Sequence, residues 1–188
     1  MISFTQINDY PIWRSTMDIS DVDLSTERII GPSNRKGKYL LSITNPNTIR
    51  LTNYLRSPEF KDTIIQRLKT YKNISRMYPD NILENLSEYT SLGFDFYRQN
   101  LDIHLPHLDY RTSVAQGLIY FDKIHTPHHS TKIYPFYPIK KVMIEGNTSI
   151  GNGLLMLNTD TTWHEGGNTS SDDRNFLLYT LELKIGNK

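Results

Sequence analysis

The chain has 188 residues, enough for one domain with a substantial core, and its 21 Lys and Arg against 20 Asp and Glu leave it near neutral. The charge is spread evenly over both halves, so no basic module marks a nucleic-acid binder. There is no cysteine, which excludes disulfides, thiolate metal sites and cysteine nucleophiles; a metal must be held by His, Asp or Glu.

The N-terminus has neither a basic start nor a long apolar run, so it does not read as a signal peptide. No apolar run approaches the roughly 20 residues of a membrane span. The expectation is a soluble, cytoplasmic protein with no membrane partner. The Asn-x-Ser patterns at Asn73, Asn85, Asn147 and Asn168 are then chance occurrences.

Residues 1–45 read as extended segments joined by turns, with strands expected over Pro11 to Ile19 and Lys38 to Thr44. Between them lies a polar loop with a small basic cluster, Arg35 to Lys38. It reads as a solvated turn that offers substrate contacts, because no helix N-terminus follows to complete an anion site.

Residues 46–91 read as helical support. Asn45-Pro46 is a start signal, and Ile49, Leu51, Tyr54 and Leu55 follow at near-helical spacing. Ser57 then caps a second helix with Pro58 at its first position, and Phe60, Ile64, Ile65 and Leu68 form one apolar face. Pro79 to Tyr89 is expected to be a third short helix.

From Gly93 the pattern changes to short strands: Phe94 to Arg98, Ala115 to Phe121, Thr131 to Tyr134, Lys140 to Ile144, Gly153 to Asn158 and Asn175 to Leu183. Helices followed by a meander of strands predict a single α+β domain over 1–188. Its barrel or sandwich occupies about 94–183, with the N-terminal helices packed on one sheet.

Chemistry concentrates at His107-Leu108-Asp109. Residues i and i+2 of a strand share a face, so the imidazole and the carboxylate can address one point. The competing pair His104 and His107 is discounted, since Pro106 breaks the helix such spacing needs. His164 follows the apolar strand ending at Asn158 and precedes a glycine-rich turn, which puts it at a strand end. Two His and one carboxylate on a sheet form a facial triad that leaves three positions open on iron. Arg174 begins the last strand, ten residues on. A buried Arg aimed inward needs an anion, and its planar fork suits a carboxylate; the bland alternative is a surface pair with Asp172 or Asp173.

The stretch Tyr97 to Asp109, then Gly117-Leu-Ile-Tyr-Phe-Asp122, Thr131-Lys-Ile-Tyr134, Trp163-His164-Glu-Gly and the Arg174 strand together resemble the iron(II)/2-oxoglutarate-dependent dioxygenases, in their prolyl-4-hydroxylase-like branch. The resemblance covers about 94–183. It implies a double-stranded β-helix, a jelly-roll or cupin-like barrel. It also implies Fe(II), 2-oxoglutarate as cosubstrate and O2. By the resemblance, His107, Asp109 and His164 bind iron and carry the catalysis. Arg174 binds the distal carboxylate of 2-oxoglutarate, with Tyr120 as a hydroxyl partner. Asp109 stands where related halogenases have Gly or Ala, which favours hydroxylation or another oxidative outcome. The implied reaction hydroxylates a small molecule or a peptidyl proline, with release of succinate and CO2.

Two other readings remain open. One is a cupin-type barrel that binds a metal or ligand without turnover. The other is a metal-dependent hydrolase using His107, Asp109, Asp160 and His164. His125, His128 and His129 are expected in a polar loop over the barrel mouth rather than at a second metal. Trp163 is expected at the back of the metal, and Trp13 in the core.

Overall fold

The computed structural model describes residues 1–33, 38–100, 105–109, 112–135, 141–166 and 172–184. In chain order the elements are β1 (Ile2–Gln6), β2 (Ile12–Met17), β3 (Arg28–Pro32), β4 (Lys38–Ser42), α1 (Pro46–Leu55), α2 (Pro58–Lys69), α3 (Asp80–Glu84), α4 (Leu86–Tyr89), β5 (Thr90–Gln99), β6 (Ser113–Tyr120), β7 (Thr131–Tyr134), β8 (Ile144–Glu145), β9 (Asn152–Leu157), β10 (Trp163–Gly166) and β11 (Arg174–Leu183). Eight strands form one sheet in the order β1-β2-β9-β6-β11-β5-β4-β3, and three form a second, β10-β7-β8. Every strand pair in both sheets is antiparallel. This mostly antiparallel architecture, with few helices, is compatible with a jelly roll.

The large sheet has a different core on each face. On β6, Ala115 and Ile119 join one cluster and Leu118 and Tyr120 the other; on β11, Leu177, Tyr179 and Leu181 oppose Phe176 and Leu178. Period-two alternation in a central strand explains why every residue of β6 is buried. The first cluster packs against the helices. Phe60, Ile64, Ile65 and Leu68 of α2 are all 2% exposed or less, each worth about 1.5–3 kcal/mol of burial. Gly117 lies opposite Tyr179 in the register, and the Tyr179 ring fills the space a Cβ at 117 would need. The second cluster adds Ile133 and Ile144 from the small sheet, so the two sheets close on each other there.

The helix starts are those the sequence predicts. Asn47 N–H donates to Asn45 Oδ1 at 2.9 Å, and Phe60 N–H donates to Ser57 Oγ at 3.2 Å. Trp13 is fully buried, as expected. Other elements differ from expectation. Ile49 is exposed, on the outer side of α1. The helix expected over Pro79 to Tyr89 breaks at Asn85, which ends α3 and precedes α4 without a side-chain cap of its own. The strand expected over Lys140 to Ile144 narrows to Ile144–Glu145, and Lys140 lies outside the described residues. β1 and β3 were not expected. β3 is an edge strand interrupted by a register shift at Ile29/Gly31, which weakens its periodic signal. Gly151, at φ +81°, makes the turn expected before β9.

Candidate metal centre and carboxylate pocket

His107 lies in the short segment 105–109, beside β10. Its N–H donates to His164 O and His164 N–H donates to His107 O, both at 2.9 Å. This reciprocal pair places two imidazoles side by side, with ring centroids 4.5 Å apart. Asp109, two residues on, falls on the same side. The ligand atoms of His107, Asp109 and His164 all lie within 4.8 Å of one another, and His164 Nε2 is 4.0 Å from Asp109 Oδ1. Among the described residues no fourth His, Asp or Glu joins this group.

The tautomers are set from behind. His107 Nδ1 lies 2.9 Å from Leu105 O, and His164 Nδ1 lies 3.1 Å from Thr162 O. A carbonyl can only accept, so each Nδ1 carries the proton and each Nε2 is left with a lone pair. His164 is 4% exposed, and its Nε2 has no hydrogen-bond partner. Burial pushes its pKa below the ordinary imidazole value, although Asp109 pulls the other way, so the neutral, ligating form is favoured. A buried lone pair without a donor, beside a second imidazole and a carboxylate, fits a divalent cation. The nitrogen and oxygen donor set suits iron or a similar ion.

Arg174 lies on the large sheet in the same cavity. It is 2% exposed, not the surface ion pair with an adjacent Asp; Asp173 faces Arg98 instead, at 3.9 Å. Its Nη1 donates to Gln99 Oε1 at 3.2 Å and its Nη2 to Thr131 Oγ1 at 3.1 Å. The guanidinium sits 4.5 Å from the Phe176 ring centroid and 5.3 Å from that of Tyr120. Its Nε is buried without a partner, and among the described residues no carboxylate lies within ion-pair distance of it. Burial lowers its pKa, but a guanidinium keeps its charge. A buried guanidinium with no carboxylate at ion-pair distance among the described residues is expensive, and a carboxylate from outside the chain would offset that cost. Tyr120 Oη accepts from Thr131 N–H at 3.1 Å, which leaves the phenol proton to donate.

The cavity joining these groups has a volume of about 660 Å3 and is lined by the triad, Gln116, Thr131, Arg174 and Lys38, with Leu118, Phe176 and Leu178 as its apolar wall. Sequence reasoning missed Gln116, Thr131 and Gln99 as members of the site. Gln116 and Thr131 sit at inward positions of expected strands, and a polar residue there was the available signal. Lys38 begins β4 in register with Gln99, and its ammonium lies 5.7 Å from the Phe176 ring centroid.

Several expected features are placed elsewhere. Asp160 is exposed and outside the cluster, which removes the fourth ligand of the hydrolase reading. None of His125, His128 and His129 lines the cavity. His129 is buried against Asp122, with Nδ1 2.9 Å from Oδ2, and His125 Nδ1 accepts from Thr148 N–H at 3.2 Å, so these two secure the loop from within. Trp163 precedes His164 on β10 and falls on the opposite face of that strand. His104, Arg111 and residues 34–37 of the basic loop lie outside the described residues. Among the described residues no helix is long and apolar enough to cross a membrane.

No family model matches the sequence, and no curated protein matches it. Solved structures do match. A prolyl-4-hydroxylase from Pseudomonas putida superposes with a TM-score of 0.51 at 13% identity, over 83% of this chain and 77% of that one. An oxidoreductase of the 2OG-Fe(II) oxygenase family from Burkholderia pseudomallei gives 0.46 at 10% identity, over 99% and 74%. EvdO2 from Micromonospora carbonacea var. aurantiaca, complexed with 2-oxoglutarate, gives 0.41 at 10% identity, over 100% and 97%. The first of these carries the comparison. The chain shares the fold of a prolyl-4-hydroxylase, which meets the expected resemblance at the level of architecture.

Proposed function

We propose that this chain is a single-domain, double-stranded β-helix dioxygenase, dependent on iron(II) and 2-oxoglutarate, that hydroxylates a small molecule or a peptidyl proline. The observation that supports this best is Arg174: a buried guanidinium without a carboxylate partner among the described residues, in the same cavity as two imidazoles and a carboxylate. His107 and His164 would hold the metal through Nε2, and Asp109 through its carboxylate. Arg174, with the hydroxyls of Thr131 and Tyr120, would hold the distal carboxylate of the cosubstrate. When bound, iron(II) and 2-oxoglutarate supply the oxidising chemistry, in which O2 converts the cosubstrate to succinate and CO2 and one oxygen atom is added to substrate.

The residues of the chain do the positioning. Leu105 O and Thr162 O fix the two ring orientations through Nδ1–H, so little reorganisation is needed on binding. Thr131 and Gln99 hold the guanidinium fork in one plane, which favours two parallel hydrogen bonds to a carboxylate. Leu118, Phe176 and Leu178 keep water from the wall between the two charged sites. Lys38 adds a second positive charge to the cavity. The cavity volume exceeds what a five-carbon dicarboxylate fills, which supports entry of a substrate group beside it.

Succinate release coupled to oxygen uptake tests the reading. A screen of candidate metabolites and proline peptides with iron(II) and 2-oxoglutarate should yield substrate-stimulated succinate. Tight metal binding with no succinate formation under any condition would favour a cupin-type binding barrel.

A further inference from the structure

Gln116 lies on β6, opposite Thr180 of β11, and is 7% exposed. Its side chain points into the cavity at Asp109. With the amide nitrogen toward the carboxylate, it donates to Asp109 Oδ1 at 2.9 Å and Oδ2 at 3.1 Å. The reverse orientation would set an amide oxygen against two carboxylate oxygens, so the nitrogen faces Asp109. Asp109 is held a second time at its backbone, where Asn158 Nδ2 reaches Asp109 O at 3.4 Å and Ser113 O at 3.0 Å. The segment carrying His107 and Asp109 is therefore anchored at the His107–His164 pair and again at Asn158. The remaining freedom of Asp109 lies in its side-chain torsions, which Gln116 restrains.

We propose that Gln116 is a positioning residue that fixes the Asp109 carboxylate in the orientation that meets His107 and His164. This rests on the oxygenase reading of the triad. The amide nitrogen lies within hydrogen-bond distance of both carboxylate oxygens, so it restrains rotation of the whole group about its last torsion. A carboxylate without that donor can turn, and the three ligand groups that now lie within 4.8 Å of one another would no longer be held together. Gln116 thereby prepares the site for a cation before the cation arrives.

Cobalt(II) is the probe, added to apoprotein without oxygen turnover. Wild type should bind it, and the d–d absorption should change when N-oxalylglycine, a dicarboxylate cosubstrate mimic, is added. Gln116→Leu keeps the volume and removes the donor. It should lower cobalt affinity about 10–100-fold, alter the d–d spectrum of the binary complex, and weaken N-oxalylglycine binding at saturating cobalt. Unchanged affinity and an unchanged spectrum in folded Gln116→Leu would overturn the proposal and leave the triad standing. Should Gln116→Leu fail to fold, Gln116→Asn draws the amide back by one methylene and is expected to show the same losses; wild-type behaviour in Gln116→Asn would overturn it equally. If wild type takes up no cobalt, the reading of the triad fails, and this inference fails with it.

Discussion

The two faces of the large sheet are built from the same strands, and they differ in what they bury. Toward the helices, β6 and β11 offer Ala115, Ile119, Leu177, Tyr179 and Leu181, and the space is filled by α2. Toward the small sheet the same strands offer Gln116, Leu118, Tyr120, Arg174 and Phe176, and the space is left as a cavity. The first face buries apolar area and stabilises the fold. The second buries a guanidinium and faces the His164 lone pair on β10, and both cost stability unless something binds. The lesson is that period-two alternation divides one strand between stability and chemistry residue by residue.

If that division holds, substitutions on the two faces should separate cleanly. The largest functional effect is expected from Asp109→Ala. It should lower metal affinity by about 100-fold or more and abolish turnover, with little change in Tm, as read by cobalt titration and thermal melts. Arg174→Met comes next. Loss of a buried charge partner costs about 2–5 kcal/mol in binding, so 2-oxoglutarate affinity should fall sharply while cobalt binding persists. The apoprotein should change little in stability, because removing the buried cation relieves its desolvation cost but loses its hydrogen bonds to Gln99 and Thr131. A large loss of apoprotein stability would show that Arg174 serves the fold. Leu68→Ala is the converse test on the helix face. It should cost about 2–5 kcal/mol in denaturant unfolding while leaving cobalt affinity unchanged in the folded protein.

The smallest effect is a pH dependence. Burial holds His164 below the ordinary value of 6.5 in the folded state. As pH falls through 6.5, the unfolded chain therefore takes up a proton at this position that the folded chain resists. Apoprotein stability should fall from pH 7.5 toward the folded-state pKa, since the unfolded state binds more protons. His164→Gln should flatten that slope in melts across pH 7.5 to 5.5; an identical slope would place the dependence elsewhere.

How much of this was legible in the sequence varies by element. The second helix was readable in full, because Ser57, Pro58 and a four-residue apolar face are local signals. The triad residues and Arg174 were readable as residue types and order, but their convergence depends on β10 pairing with a segment over fifty residues earlier. The edge strands β1 and β3 were hidden, the latter by a register shift and the lack of a buried face. Gln116 and Thr131 were read only as parts of apolar strands. Their role depends on which neighbour lies across the cavity, and no local pattern encodes that. The histidine loop was read as a polar loop over the barrel mouth, yet His129 turns inward to Asp122. A pair at sequence separation seven leaves no periodic signature.

The most direct test of the account is an anaerobic titration of the iron(II)-loaded protein with 2-oxoglutarate, followed by visible absorption. Wild type should develop a weak charge-transfer band that saturates with cosubstrate. Arg174→Met should need far more cosubstrate to reach it, and Asp109→Ala should not develop it. If wild type shows no band at saturating iron and 2-oxoglutarate, the cavity does not bring metal and cosubstrate together, and the oxygenase reading is contradicted.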